Sequence, residues 1–128
     1  MSIYRRDDVF PAWEPIPWTT RGPVADEQER GFHERALKPL VWTRVRWHDF
    51  PAEGVLGYDR EWFLRQDIDS VATFDGEDLI LIRNTWHDFP DPPEWGLGSR
   101  PAGCVDAPWQ MWGHFPQLPA AWQRPDPA

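Results

Sequence analysis

The stretch that most constrains the fold of this chain runs from residue 68 to residue 85. Ile68–Phe74 and residues 79–85 are short strand-like runs joined by Asp75-Gly76-Glu77-Asp78, with a glycine available for the positive φ that a tight connection needs. Pairing Phe74 with Leu79 sets a register. Ala72, Phe74, Leu79 and Leu81 then share one face, and Val71, Thr73, Ile80 and Ile82 share the other. Both faces are apolar, so the hairpin belongs in the middle of a sheet covered on two sides, and the rest of the chain has to supply that cover.

The material for it is aromatic. In 128 residues there are ten Trp and fifteen Pro, at a mean hydropathy of −0.66. A chain of this length folds around one core, burying roughly two-thirds of the surface it exposes when unfolded. Few aliphatic residues are available, so most of the Trp are needed inside, while the prolines oppose long helices and ladders. Residues 25–37 open with acids and place Phe32, Ala36 and Leu37 at helical spacing, which predicts a short helix weakened by Gly31 and ended by Pro39. Residues 40–49 change to period two: Val41, Thr43, Val45 and Trp47 alternate with Trp42, Arg44, Arg46 and His48, a half-buried strand that must finish near Pro51. Residues 58–66 allow one or two helical turns.

The ends read differently. Residues 1–24 carry Pro11, Pro15, Pro17 and Pro23 among Phe10, Trp13 and Trp18, the pattern of an extended arm. Such an arm either packs across its own domain or docks on a neighbouring subunit. Residues 91–128, with eight prolines and four tryptophans, read as an irregular but ordered wrap over one sheet face, since disordered segments are poor in aromatics. The expectation is a small single-domain α+β or mainly β fold: an antiparallel sheet with one short helix in a core spanning 25–90, and long Pro/Trp-rich irregular arms at 1–24 and 91–128.

Charge narrows the function classes. A formal net charge of −8 and a pI near 4.8 disfavour nucleic-acid binding, which draws its affinity from cations that displace counterions. The acids are interleaved with twelve Arg, as on an ordinary solvated acidic surface. Cys104 is the single cysteine, so no intrachain disulfide can form. Arg5, Arg6, Asp7 and Asp8 stand where a signal peptide would be apolar, and no apolar run exceeds four residues. The expectation is therefore a protein with no signal-peptide export and no membrane partner, in the cytoplasm or within a virion.

One motif could carry chemistry. Trp47-His48-Asp49-Phe50-Pro51 returns unchanged as Trp86-His87-Asp88-Phe89-Pro90, and a blurred third copy stands at Trp112-Gly113-His114-Phe115-Pro116. Leu40, Val41, Arg44 and Gly57 match Leu79, Ile80, Arg83 and Gly96 at the same offset, so the repeated unit is a strand with its exit loop. It is too short for a propeller or solenoid. Trp, Asp, Phe and Pro each have a structural use at a strand exit, which leaves the histidines unexplained. His48, His87 and His114 with Asp49 and Asp88 could ligate Zn or Fe, or act as acid–base pairs, although neighbours in a regular strand point to opposite faces. Cys104 with His114 as base is a weaker nucleophile arrangement, and Gly96-Leu97-Gly98 lacks the context of a phosphate loop. Arg44, Arg46 and Arg83 form a possible basic strip, for which Asp67 and Asp69 are ready partners.

These features favour a non-enzymatic protein-binding or structural component of a macromolecular assembly, acting through a protein partner or self-association and needing no cofactor. The residues singled out for binding are Trp13, Trp18, His48, Asp49, His87, Asp88 and His114. A small metal-dependent or His/Asp-based enzyme built on the repeated corners is the alternative, and a carbohydrate-binding module with exposed Trp platforms is the third.

Overall fold

The computed structural model describes residues 12–16, 22–45, 67–84, 93–104 and 106–125. Among these, one helix, α1 (Pro23–Ala36), precedes strands β1 (Thr43–Arg44), β2 (Ile68–Phe74), β3 (Glu77–Arg83), β4 (Trp95–Pro101) and β5 (Gln110–Phe115). The strands form one antiparallel sheet in the order β1-β2-β3-β4-β5, which establishes the small α+β architecture.

The β2–β3 hairpin lies at the centre and has the two faces assigned from sequence, in a different register. Phe74 faces Glu77 and Ala72 faces Leu79. The connection is two residues rather than four, because Asp75 (φ 51) joins Gly76 (φ 74) in the left-handed region, as a primed hairpin turn requires. A slip of two residues preserves side-chain parity, which is why the faces survive. Leu79 and Leu81 turn toward α1, while Ile80 is buried on the opposite face.

The helix is set by its ends. Pro23 takes the first helical position, where a missing N–H costs nothing, and the Asp26 N–H donates to the Gly22 carbonyl at 3.0 Å. At the other end the Trp122 indole N–H donates to the Arg35 carbonyl at 2.9 Å, satisfying one of the carbonyls that a helix end leaves open. Phe32 and Ala36 face the sheet and join Leu40, Trp42, Leu79, Leu81, Trp95, Leu97, Trp112, Phe115 and Trp122 in one core. Phe32, Phe115 and Trp122 meet ring to ring, with Phe32–Phe115 centroids 4.8 Å apart and Phe115–Trp122 edge to face at 5.7 Å.

Two expectations are corrected. Only Thr43 and Arg44 of the strand expected over 40–49 are ladder-paired among the described residues, and its inward face is the other one: Trp42 is 1 % exposed and Val41 56 %. Trp42 and Leu40 face inward because their backbone also bonds the chain end, Trp42 N–H to the Gln123 carbonyl and Gln123 N–H to the Leu40 carbonyl, both at 2.8 Å. Residues 91–128, expected to be irregular, instead supply β4 and β5. In β4 the residues on one face alternate with glycine on the other: Trp95, Leu97 and Ser99 turn to the helix side, while Gly96 and Gly98 lie beneath β3 and β5 side chains. A Cβ at Gly98 would come within 2.9 Å of the Met111 sulfur and 3.0 Å of Ile80, so the absent side chain is what lets those two close over the strand.

Gly31 is a further case of close approach. A Cβ there would overlap the six-membered ring of Trp112, so the glycine that weakens α1 as a helix former admits the β5 tryptophan to the helix backbone. Helix propensity alone would credit Gly31→Ala with about 1 kcal/mol of stabilisation. The packing predicts the opposite sign, a loss of roughly 1–3 kcal/mol from overfilling, read from the urea midpoint at unchanged slope.

Candidate functional site

The sheet ends at β5, and a second segment of chain lies along that edge. Glu14 and His114 form a hydrogen-bonded antiparallel pair: Glu14 N–H donates to the His114 carbonyl, and His114 N–H to the Glu14 carbonyl, each at 2.8 Å. One residue before the pair, the Trp13 indole N–H donates to the Trp112 carbonyl at 2.6 Å. Pro15 is fully buried. Ile16 is held by the Gln28 side chain in both directions, its N–H donating to Gln28 Oε1 at 2.9 Å and its carbonyl accepting from Gln28 Nε2 at 3.2 Å. Residues 12–16 therefore form a strap that adds to the sheet edge and is pinned to α1.

The seat of the strap depends on Gly113, whose φ is +99. A Cβ at this position would overlap the Trp13 indole and lie 2.6 Å from the Glu14 carbonyl oxygen. The glycine thus serves twice, adopting a backbone conformation that L side chains avoid and leaving a notch that the indole fills. The bulge it creates lets Trp112 and Phe115, three residues apart, both reach the core. The motif assigned to strand exits is accordingly a strand end in its third copy, with Pro116 following the last residue of β5.

Of the residues singled out from sequence, Trp13 and His114 come together on this edge. His48, Asp49, His87, Asp88 and Trp18 lie outside the described residues. Gly113, Gln28 and Pro15 belong to the site and were not singled out. Gly113 carried a usable signal, since a glycine inside an apolar strand pattern marks a bulge or a close backbone approach. Gln28 carried none. Among the described residues no three His, Cys, Asp or Glu side chains gather as a metal centre. Trp42, Trp95, Trp112 and Trp122 are buried, so these four offer no platform for stacking a sugar.

The remaining charged groups act as struts. Arg35 holds Glu77 through both carboxylate oxygens, with the Nε–Oε2 bond at 3.1 Å, donates to the Gly31 carbonyl at 2.9 Å and stacks 4.2 Å from the Trp112 ring. Arg100 and Asp78 form a buried cross-strand pair, and Asp78 also accepts from Thr73 Oγ1 at 3.1 Å. Asp69 takes a two-pronged contact from Arg124, at 2.7 Å on each oxygen, with Arg44 3.8 Å away. Burial pushes the Asp69 carboxyl up, but hydrogen bonds from Arg124 and Ser70 and the charges of Arg124 and Arg44 outweigh it and hold its pKa below the usual aspartate value. Arg44 is thus paired with Asp69, as its place beside that acid suggested. An open cleft of about 240 Å³ beside Glu77, Ser99, Gln110 and Trp112 has its carboxylate already engaged by Arg35. No helix among the described residues is long and apolar enough to cross a membrane.

Comparison of the chain with protein-family models, with curated proteins and with solved structures finds no match in any of the three.

His114 adds a pH dependence to this edge. Burial lowers its pKa below the ordinary imidazole value of 6.5, outweighing a hydrogen bond to the Trp95 backbone. The unfolded chain therefore binds the proton more readily than the folded one. The stabilising difference is present above pH 6.5 and is lost as pH falls through the folded value. Urea midpoints at pH 7.5 and pH 5 should fall further for the wild type than for His114→Gln; equal falls would show that His114 does not contribute.

Proposed function

We propose that this chain is a non-enzymatic, protein-binding component of a macromolecular assembly, and that the β5 edge with its Gly113 notch is its docking surface. The observation that carries this reading is the reciprocal main-chain pairing of Glu14 with His114, beside an indole seated over a glycine. Edge addition of an extended segment is a general mode of peptide recognition, in which backbone bonds give affinity and side-chain pockets give specificity. The Trp13-Glu14-Pro15-Ile16 strap supplies each part: an aromatic anchor, a backbone donor and acceptor, and a proline that favours extended chain before it. Its contacts on the folded body come from Gln28, Trp112, Gly113 and His114, about a hundred residues away in the chain for all but the first.

The segment covering the edge is itself the model of a ligand. In the full-length Trp13→Ala chain the notch is vacated, and a fluorescent peptide of the sequence Pro-Ala-Trp-Glu-Pro-Ile-Pro should bind. The wild type should bind it at least about tenfold more weakly, because its own strap competes at the effective concentration of a short tether. The same peptide with alanine for tryptophan should not bind the Trp13→Ala chain. Fluorescence anisotropy distinguishes these outcomes, and equal or absent binding of the two peptides rules out the docking edge.

A further inference from the structure

The geometry points to a second copy of this chain as the partner of the β5 edge, delivering its own residues 12–16 in place of the resident strap. This rests on the docking-edge reading above and names the occupant. Every described polar contact of the strap is made to groups within residues 22–125: Trp13 to the Trp112 carbonyl, Glu14 to His114, and Ile16 to Gln28. Exchange between two copies therefore reproduces each contact with the same donors and acceptors, and needs no new complementary surface.

The tether makes that exchange a matter of chain geometry. Five residues, 17–21, join Ile16 to Gly22 at the head of α1, and the first of them is Pro17. Proline disfavours the helical region for the residue before it and so biases the Ile16–Pro17 junction toward extended backbone. Short connections invite swapping where folding back would strain them, since a chain that extends instead carries its segment to a neighbour. The two arrangements have the same contacts, so protein concentration against the effective concentration of the tether decides between them. The exchanged pair is closed and twofold: each body receives one strap and gives one, leaving no unfilled notch from which a filament could grow.

The test uses full-length chains with Cys104 replaced by serine. Directly opposite residues of a hydrogen-bonded antiparallel pair have Cα atoms about 5.5 Å apart, within the range a disulfide spans. In one chain carrying both Glu14→Cys and His114→Cys, dilute oxidation should close an intrachain bond, showing that the seat is formed and that neither cysteine disrupts it. Glu14→Cys chains mixed with His114→Cys chains should give a covalent heterodimer of twice the 15.0 kDa chain mass, its yield rising with concentration. Glu27→Cys mixed with His114→Cys supplies the collisional background, because Glu27 lies exposed on α1. Heterodimer yield at least about tenfold above that background supports strap exchange. Intrachain closure without excess heterodimer overturns it while leaving the peptide-docking reading in place, and failure of the double variant to close removes the seat itself and the proposal with it.

Discussion

The fold depends on how Trp112 is held. Its ring lies against the backbone of α1 at Gly31, its indole N–H donates to the buried Ser99 hydroxyl at 2.7 Å, and the Arg35 guanidinium stacks on it. Arg35 then continues to Glu77 at the start of β3, so one side chain ties the helix to both the outer strand and the central hairpin. A smaller residue at 112 would lose the core volume and leave Ser99 short of a donor. A side chain at 31 would push the ring away from the helix. The backbone of the same tryptophan faces outward and accepts the Trp13 indole. Core and edge therefore meet in one residue, and Gly113 after it turns the chain so that both can be served.

The acidic composition has little bearing on the interior, where charge is arranged in matched pairs. Arg100 and Asp78 sit directly opposite each other on β4 and β3, with side chains 0 % and 6 % exposed. Breaking such a pair by removing one partner costs on the order of 3–5 kcal/mol, because it strands the other charge, whereas replacing both with apolar groups can be neutral. Asp69 is compensated by two arginines from separate parts of the chain, Arg44 on β1 and Arg124 near the end. That triad closes the β1 side of the sheet much as the Trp112 stack closes the β5 side. Arginine suits both positions, because its planar fork engages a carboxylate at two points and its face stacks on Trp112 in one case and lies 5.0 Å from the Trp95 ring in the other.

How much of this was legible in the sequence follows from which signals were local. The two faces of the hairpin were, because parity is conserved under the two-residue slip that Asp75 introduced by taking a positive φ. The helix was, to within two residues at its start and one at its end, because acids open it and Phe32 and Ala36 recur at helical spacing; Pro23, read with the extended arm, is its first residue instead. β4 was not. Its pattern of Trp95-Gly96-Leu97-Gly98 reads as loop by propensity, and only the neighbouring Ile80 and Met111 explain why glycine is needed. The inward face of the segment after α1 was also misassigned, because the pairing that settles it comes from Gln123, some eighty residues away. At the candidate site, Trp13 and His114 stood out as uncommon residues, but the feature that unites them is the notch at Gly113, which a glycine inside an apolar strand pattern marks as a close approach without saying which segment fills it.

The third copy of the repeated motif bears on what the histidines can be for. Aligned from its tryptophan, Trp112-Gly113-His114-Phe115-Pro116 places Gly113 where the other copies have His48 and His87, and His114 where they have Asp49 and Asp88. The three imidazoles thus do not occupy one position of a common corner, and a ligand set built by repeating that corner would lose a histidine at the third. Of the two positions that change, the first is the one where β5 needs a positive φ and an open notch. Trp, Phe and Pro keep their places, because that strand still needs two buried rings and a stop. The glycine replaces a side chain with a seat, and at this copy, which departs from the pattern, another segment of the chain lies in that seat.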